Sequence, residues 1–581
     1  MLRRFRPLKP YLARYKKRYG AGFAALLLTQ AVGITVPLII KAGIDKLARG
    51  TAGRELFVCA GLLVGAGLTK AVFQFWMRWI LIGISRDVEY DLRNDLFAHL
   101  MKLSPRYYTQ NRTGDLMSKL TNDLNAVRNM VGPGIMYSAN TLVVGLATVS
   151  LMLHLDWRLT VMALAPLPLA SIAVKVFGEQ IHERFEQIQA MYSEITEKVR
   201  ENLSGVRIIR AFCQEKAEMA EFNRTNREFV EKNKRLIWIT SFLWPALALL
   251  FAFAFLLIMV VGGRHVVRGV ISVGTFAAFN VYLTYLIWPI IALGWVVNLV
   301  QRGLASLERL MTIFTAEPEI DDGQVGAHLP GALRGEIEFR NLTFSYNGTP
   351  ILKNINLRIP AGKTVAIVGA TGSGKTTLVS LIPRLYDAPE GTVLVDGIPI
   401  RQIPLNVLRE HIGFVSQETF LFSKTVRENI RFGAPDVSDS EVERAAEISN
   451  ILPEIRGFPK AFDTMVGERG LTLSGGQKQR TAISRAVIRD PRILILDDAL
   501  SSVDTDTEEK ILTHLTQVMA GRTTLLISHR VSTIRNADEI VVLHNGGVVE
   551  QGTHEQLLRL NGYYAELYNK QLIEEELEKE A

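Results

Sequence analysis

A bundle of membrane-spanning helices followed by an α/β domain with a phosphate-binding loop is the fold class this sequence predicts. Three observations carry it. The first half holds apolar stretches long enough to cross a bilayer. The octapeptide Gly369–Thr376, GATGSGKT, follows the apolar run Thr364–Val368 and precedes Leu378, Val379, Leu381 and Ile382 at helical spacing. After Thr315–Pro330, rich in turn formers and acids, long apolar segments give way to short strands and soluble helices.

Composition bounds the reading. A chain of 581 residues holds three or four domains at roughly 150 residues each. With 48% hydrophobic residues and a mean hydropathy of +0.16, it is too apolar for an ordinary soluble enzyme. The divisions expected are a membrane domain over 1–314, a linker over 315–335, a nucleotide-binding domain over 336–570 and an acidic tail over 571–581. Cys59 and Cys213 have neither metal-ligand nor disulfide-framework spacing. The net charge of +8 is uneven: Arg3, Arg4, Arg6, Lys9, Arg14, Lys16, Lys17 and Arg18 precede the first apolar segment. No nucleic-acid recognition module accompanies them, so they read as a cytoplasmic anchor at the membrane surface. The apolar segment that follows is too long for a signal-peptide core and is expected to be retained.

Six spans are placed in order, near Tyr19–Ile44, Leu56–Ile84, Ile135–Leu155, Leu159–Phe177, Leu236–Val261 and Val273–Val300. Pro37 and Pro289 lie inside the first and sixth, and Pro37 is expected to kink its helix. An even number of spans puts both termini on one side, the cytoplasmic side if the second half is to meet ATP. The connections Ser85–Gly134 and Gly178–Arg235 are long, charged and helix-forming. They read as helical extensions of the spans, with Thr113–Asp123 and Glu201–Phe212 as contact points at their tips. Polar residues inside spans are costly and face protein or water. Lys70, Gln74 and Arg78 form one stripe, and Asn280, Thr284 and Trp288 form a second. Helix packing is one reading of both. The other is a cavity lining whose cations favour amphipathic substrates with an anionic group.

In the second half, each chemically legible segment has a place. Backbone N–H groups of Gly369, Ala370, Thr371, Gly372, Ser373 and Gly374 converge on an anion. Lys375 reaches the terminal phosphates of ATP, Thr376 offers a hydroxyl to Mg²⁺, and Thr377 completes the loop. Tyr346, ending a strand-like segment, is placed to stack on adenine, and Gln417 to approach Mg²⁺. The run Ile493–Asp497 is a buried strand whose terminal Asp497 suits Mg²⁺ held through water. Asp498 follows where a general base or water-positioning carboxylate belongs, and His529 contacts the terminal phosphate and attacking water. Leu473, Ser474, Gly475, Gly476 and Gln477, LSGGQ, open a helical segment over Lys478–Ile488 and form a second anion site.

Together these motifs resemble the ATP-binding cassette family over roughly Ile337–Tyr568, and LSGGQ separates that family from other P-loop ATPases. Thr113–Asp123, Glu201–Phe212 and Gln301–Leu310 resemble its exporter-type membrane domain, in the half-size arrangement of one membrane domain and one nucleotide domain. The resemblance implies a dimer in which each LSGGQ completes the ATP site of the opposite subunit, with Ser501, Ser502 and Asp504 in the interface loop. It implies an ATP hydrolase coupled to export of a drug-like compound or lipid across a prokaryotic inner membrane. Lipid flipping and an ATP-gated channel or regulatory subunit are alternatives on the same fold. One departure stands out. Most family members carry Glu where this chain has Asp498, and losing one methylene draws the carboxylate back by roughly 1.5 Å. A loss of hydrolysis on the order of 100-fold is expected from such a displacement. The resemblance therefore favours pairing with a different half-transporter that supplies Glu, over a homodimer with two modest sites.

Overall fold

The computed structural model describes residues 2–50, 53–323, 333–346, 348–467, 470 and 472–580. The chain falls into two compact bodies, Met1–Met101 with Arg112–Ala316 and Lys102–Asn111 with Glu317–Ala581. Of the linker expected over 315–335, residues 324–332 lie outside the described residues.

The first body is helical. Helices α1 (Lys16–Ala48) and α2 (Arg54–Leu100) pack along each other, and Pro37 sits inside α1 without ending it. A helical run over Thr113–Leu155 widens into π turns at Lys119–Asp123 and Met130–Gly134, and its last segment is α3 (Ile135–Leu155). Pro133 lies in the second π turn, where its missing N–H already interrupts the regular ladder. The Asp156 carboxylate accepts the N–H groups of Arg158 and Leu159 at 2.9 and 3.1 Å, which caps α4 (Trp157–Leu164). The chain breaks at Ala165–Pro166 and resumes as α5 (Leu167–Ser204).

That break corrects one expectation. Pro166 and Pro168 divide the apolar stretch Leu159–Phe177 into two helices, because neither offers an N–H to the preceding turn. Among the described residues, five helices are each long and apolar enough to cross a membrane. The divided α4–α5 segment supplies the sixth passage of a helical membrane domain. Helix α6 (Glu215–Leu257) packs along α5 and runs through a π turn at Ile258–Gly262. The last helix, α7 (Val273–Phe314), is capped by Ser272. Asp45, near the end of α1, accepts the Ser272 hydroxyl at 2.9 Å and the Gly274 N–H at 2.8 Å.

Burial follows the same division. Phe279, Tyr282, Leu283 and Leu286 of α7 pack against Met152, Leu159, Ala254 and Ile258. Leu62, Leu68, Val72, Phe75 and Trp79 of α2 stay exposed, a surface suited to an apolar environment and not to water. Farther along α2 the seam Val88, Leu92, Leu96 and Leu100 is buried, so this extension is packed and not free in solvent. Buried Asp123 accepts the Ser306 hydroxyl and Arg309 Nε, both at 2.9 Å, tying the Thr113–Asp123 segment to α7.

The second body carries two sheets. Strands β1 (Ile337–Tyr346), β2 (Thr349–Ile359), β4 (Val393–Val395) and β5 (Ile398–Pro399) form an antiparallel sheet in the order β2-β1-β4-β5. The other sheet holds β3 (Thr364–Val368), β6 (Ile412–Val415), β7 (Ile493–Asp497), β8 (Thr523–Ile527), β9 (Glu539–His544) and β10 (Gly547–Gly552). Its order is β10-β9-β3-β8-β7-β6, parallel except for the β10 edge. Val365 and Ile367 enter one core cluster and Ala366 and Val368 the other, so β3 is covered on both faces. A strand buried on both faces is continuously apolar, as TVAIV is.

Candidate functional site

Sheet order decides which loops meet. The carboxyl ends of β3, β8, β7 and β6, neighbours in the sheet, lead into Gly369–Gly374, Ser528–His529, Asp498 and Gln417 respectively. In parallel sheets ligands sit at this edge. A cleft of about 280 Å³ there brings together Tyr346, Thr371, Gly372, Gly374, Lys375, Thr376 and Thr377 with Gln417, Asp497, Asp498 and His529. Gly369 and Ala370 line an adjoining cavity with Thr371 and His529. Ser373 is buried in the same loop.

Local geometry explains the loop. Gly374, at φ +101°, precedes helix α8 (Lys375–Leu381), and a Cβ there would stand 2.7 Å from Leu352 Cδ2. Only glycine serves at that position. Lys375 Nζ donates to the carbonyls of Gly369 and Ala370 at 2.7 and 3.0 Å, so the loop curls around its own cation. Burial lowers the Lys375 ammonium below its usual range, while Asp497 and Asp498 pull the other way. Burial also raises Asp497 above the usual carboxylate range; the Thr376 hydroxyl opposes the shift and Asp498 adds to it.

Two buried oxygens bear on Mg²⁺. Asp497 Oδ1 accepts the Thr376 hydroxyl at 3.2 Å, but Asp497 Oδ2 has no hydrogen-bond partner. A buried carboxylate oxygen beside a hydroxyl and the Gln417 amide is a hard-oxygen donor set, which fits a Mg²⁺ ion shared with phosphates. Among the described residues no cluster of three or more His, Cys, Asp or Glu forms an all-protein metal cage. Tyr346 packs edge-on against Phe344 and Tyr386, with centroids 5.1 and 5.2 Å away. Asp498 adopts φ +50°, a left-handed conformation that Asp tolerates better than most side chains. Its N–H donates to the Ile527 carbonyl at 2.8 Å.

The signature lies elsewhere on the same body. Leu473, Ser474, Gly475, Gly476 and Gln477 are absent from the cleft lining. Helix α9 (Gly475–Val487) begins at the signature glycines, three residues before the expected Lys478, because a capping box closes its first turn. Ser474 Oγ accepts the Gln477 N–H at 3.2 Å, and Gln477 Oε1 accepts the Ser474 N–H at 2.9 Å. A Cβ at Gly476 would stand 3.0 Å from the Ser502 carbonyl oxygen, so the signature and the Ser501–Asp504 loop touch. Asp504 in turn caps helix α10 (Thr505–Met519) by accepting the Thr507 N–H at 2.9 Å.

In the first body, a cavity of about 360 Å³ is lined by Lys70, Gln74, Arg78, Thr284 and Trp288, among others. Lys70 Nζ lies 5.8 Å from the centroid of Tyr285, and Gln30 Nε2 donates to Asn140 Oδ1 at 2.6 Å. Asn280 is not part of that lining. Its Nδ2 donates to the Phe276 carbonyl at 2.9 Å, on its own helix.

A P-loop cleft on a parallel sheet, joined in one chain to a helical membrane domain, defines an ATP-using membrane protein. The chain belongs to the ABC transporter family: the model for the ABC transporter transmembrane region matches residues 19–290, and the model described as "ABC transporter" matches 352–501. It is 38% identical to "Probable multidrug resistance ABC transporter ATP-binding/permease protein YheI" of Bacillus subtilis (strain 168), over 97% of each chain. It is 36% identical to the "ATP-dependent lipid A-core flippase" of Syntrophus aciditrophicus (strain SB), over 98% of this chain and 95% of that one. Among solved structures it resembles a bacterial Atm1-family ABC exporter with ATP bound, with TM-score 0.79 and 29% identity, over 96% of this chain and 99% of that one.

Proposed function

We propose that the chain is one half of an ATP-driven exporter whose substrates are amphipathic molecules carrying an anionic group, drug-like or lipid. The observation that carries the substrate class is the membrane-domain cavity. Among the described residues Lys70 and Arg78 line it, and no carboxylate does. Inside a low-dielectric bundle an unbalanced cation is costly, and an anionic ligand would offset that cost. The lipid A-core flippase among the relatives supports a lipid within this class.

ATP is held by Gly369–Thr376, with Tyr346 against adenine and Thr376, Gln417 and Asp497 toward Mg²⁺. The ion neutralises the phosphates when bound. Asp498 orients the attacking water and His529 holds the terminal phosphate. The signature of a second half-transporter closes the site, and both termini face the cytoplasm of a bacterial cell. Closure favours one orientation of the membrane cavity only by the difference in ATP affinity between the two states. Asp498 supports a partner chain of different sequence, which brings Glu to a faster second site.

Vesicles reconstituted with the active assembly test the substrate class. Neutralising both cations, Lys70→Gln with Arg78→Gln, lowers ATP-dependent transport of an anionic fluorescent amphiphile about tenfold or more, since at least one charge-assisted contact is lost. A cationic analogue of equal size is unaffected. Equal losses for both probes count against the anionic class, and dissipation of a preset gradient without uphill transport counts for a channel.

A further inference from the structure

An ion pair at the interface loop, its carboxylate buried and its guanidinium partly exposed, has no part in the site described above. Glu508 on α10 is 1% exposed, and it pairs with Arg530, the residue after His529. Arg530 Nη1 also donates to the Val503 carbonyl at 2.9 Å, and Nη2 to the Ser501 carbonyl at 3.4 Å. The guanidinium therefore clamps the Ser501–Asp504 loop while its backbone belongs to the loop that carries His529.

The same short loop is held by a second side chain. Gln479 of α9 donates to Ser501 Oγ and accepts the Ser502 N–H, each at 2.9 Å. Ser501 Oγ passes the contact on to the Asp498 carbonyl at 3.0 Å. Both candidate hydrolytic groups, Asp498 and His529, thus sit one or two bonded steps from a loop gripped between the signature helix and Arg530. Arg suits this place because its planar fork meets a carboxylate and two carbonyls at once, which an ammonium on a flexible stem does not.

We propose that Arg530, aimed by the buried Glu508 carboxylate, is a positioning residue for ATP hydrolysis: it makes the placement of His529 depend on the placement of Ser501–Asp504. The proposal rests on the dimeric reading given above, in which that loop and the adjoining signature face the partner subunit. A partner that seats the loop would then set His529 in the chain's own site, so each half senses the other without any ligand passing between them. A geometric error of about 1 Å at a catalytic group is enough to cost 100-fold.

Steady-state ATPase of the full chain expressed alone, where its own site is the one read out, tests the idea alongside thermal unfolding. Glu508→Gln lowers kcat about tenfold and leaves KM for ATP within about twofold, the pattern of a lost transition-state contact. Arg530→Lys keeps the charge, loses the fork and behaves alike. Changing either member alone also costs stability, because the Glu508 carboxylate is buried, so the pair is replaced together, Glu508→Gln with Arg530→Met. That double variant recovers wild-type stability and keeps the low kcat. A wild-type kcat in Glu508→Gln, or recovery of both stability and kcat in the double variant, overturns the proposal. Substrate transport by the wild-type assembly reconstituted in vesicles is read separately. Its absence would count against the exporter reading and leave the turnover comparison intact.

Discussion

Asp497 is held in a state that suits a ligand more than it suits the empty fold. Its carboxylate is 1% exposed, one oxygen has no partner, and burial with the neighbouring Asp498 raises it above the usual carboxylate range. A folded-state value above the unfolded one means that the native state binds the extra proton. Stability therefore falls as pH rises from the unfolded value into the raised folded one, and the full penalty applies at neutral pH. Asp497→Asn removes that buried charge while keeping the shape. Without nucleotide it is expected to raise Tm by about 2–4 °C, the shift that ~1 kcal/mol produces in a domain of this size. With MgATP the stabilisation that wild type gains is lost, and in the chain expressed alone hydrolysis falls below detection. Calorimetry of both proteins with and without MgATP checks this, and a lower Tm for the ATP-free variant would refute the account. Lys375 and Asp497 were legible in the sequence because their roles follow from local spacing. Glu508 and Arg530 were not, since 22 residues separate them and only the fold makes them neighbours.

Helix starts show what periodicity misses. Two glycines in LSGGQ argue against a helix by propensity, which is why Lys478 looked like its beginning. The Ser474–Gln477 capping box wins because it satisfies two otherwise orphaned N–H groups reciprocally, and the glycines are kept by close approach to Ser502. Ser474→Ala loses the cap, worth about 1 kcal/mol. Ser474→Thr keeps the capping oxygen. Melting should therefore separate Ala from Thr, whereas ATPase of the assembly should fall in Ala through the partner-facing site as well. If the Ala variant melts as wild type does, the cap contributes nothing here. The fourth span teaches the converse lesson. Leu159–Phe177 is apolar enough to read as one helix, yet Pro166 and Pro168 divide it. Hydropathy averages over a break that two missing N–H groups dictate.

At the scale of the whole molecule, Asp498 bears on which second subunit completes the site. The chain holds a complete phosphate cleft and a complete signature, but on one chain they do not meet. Any working site therefore needs a second chain. Asp498 sits at φ +50°, where Asp is more at ease than Glu, so the shorter acid is also the less strained choice. Strain of about 1 kcal/mol is small beside the catalytic cost of a carboxylate withdrawn by roughly 1.5 Å. The expectation is a chain whose own site turns over slowly and whose signature serves a faster partner. Expressed alone, it should bind MgATP with ordinary affinity and hydrolyse it slowly, and Asp498→Glu should raise kcat by roughly tenfold or more. Asp498→Asn should change the slow rate little in the mixed assembly, because the partner's site sets the pace there. Brisk turnover by the lone chain, abolished by Asp498→Asn, would mean instead that two copies of this chain suffice and that the loop around Asp498 shifts to recover the lost reach.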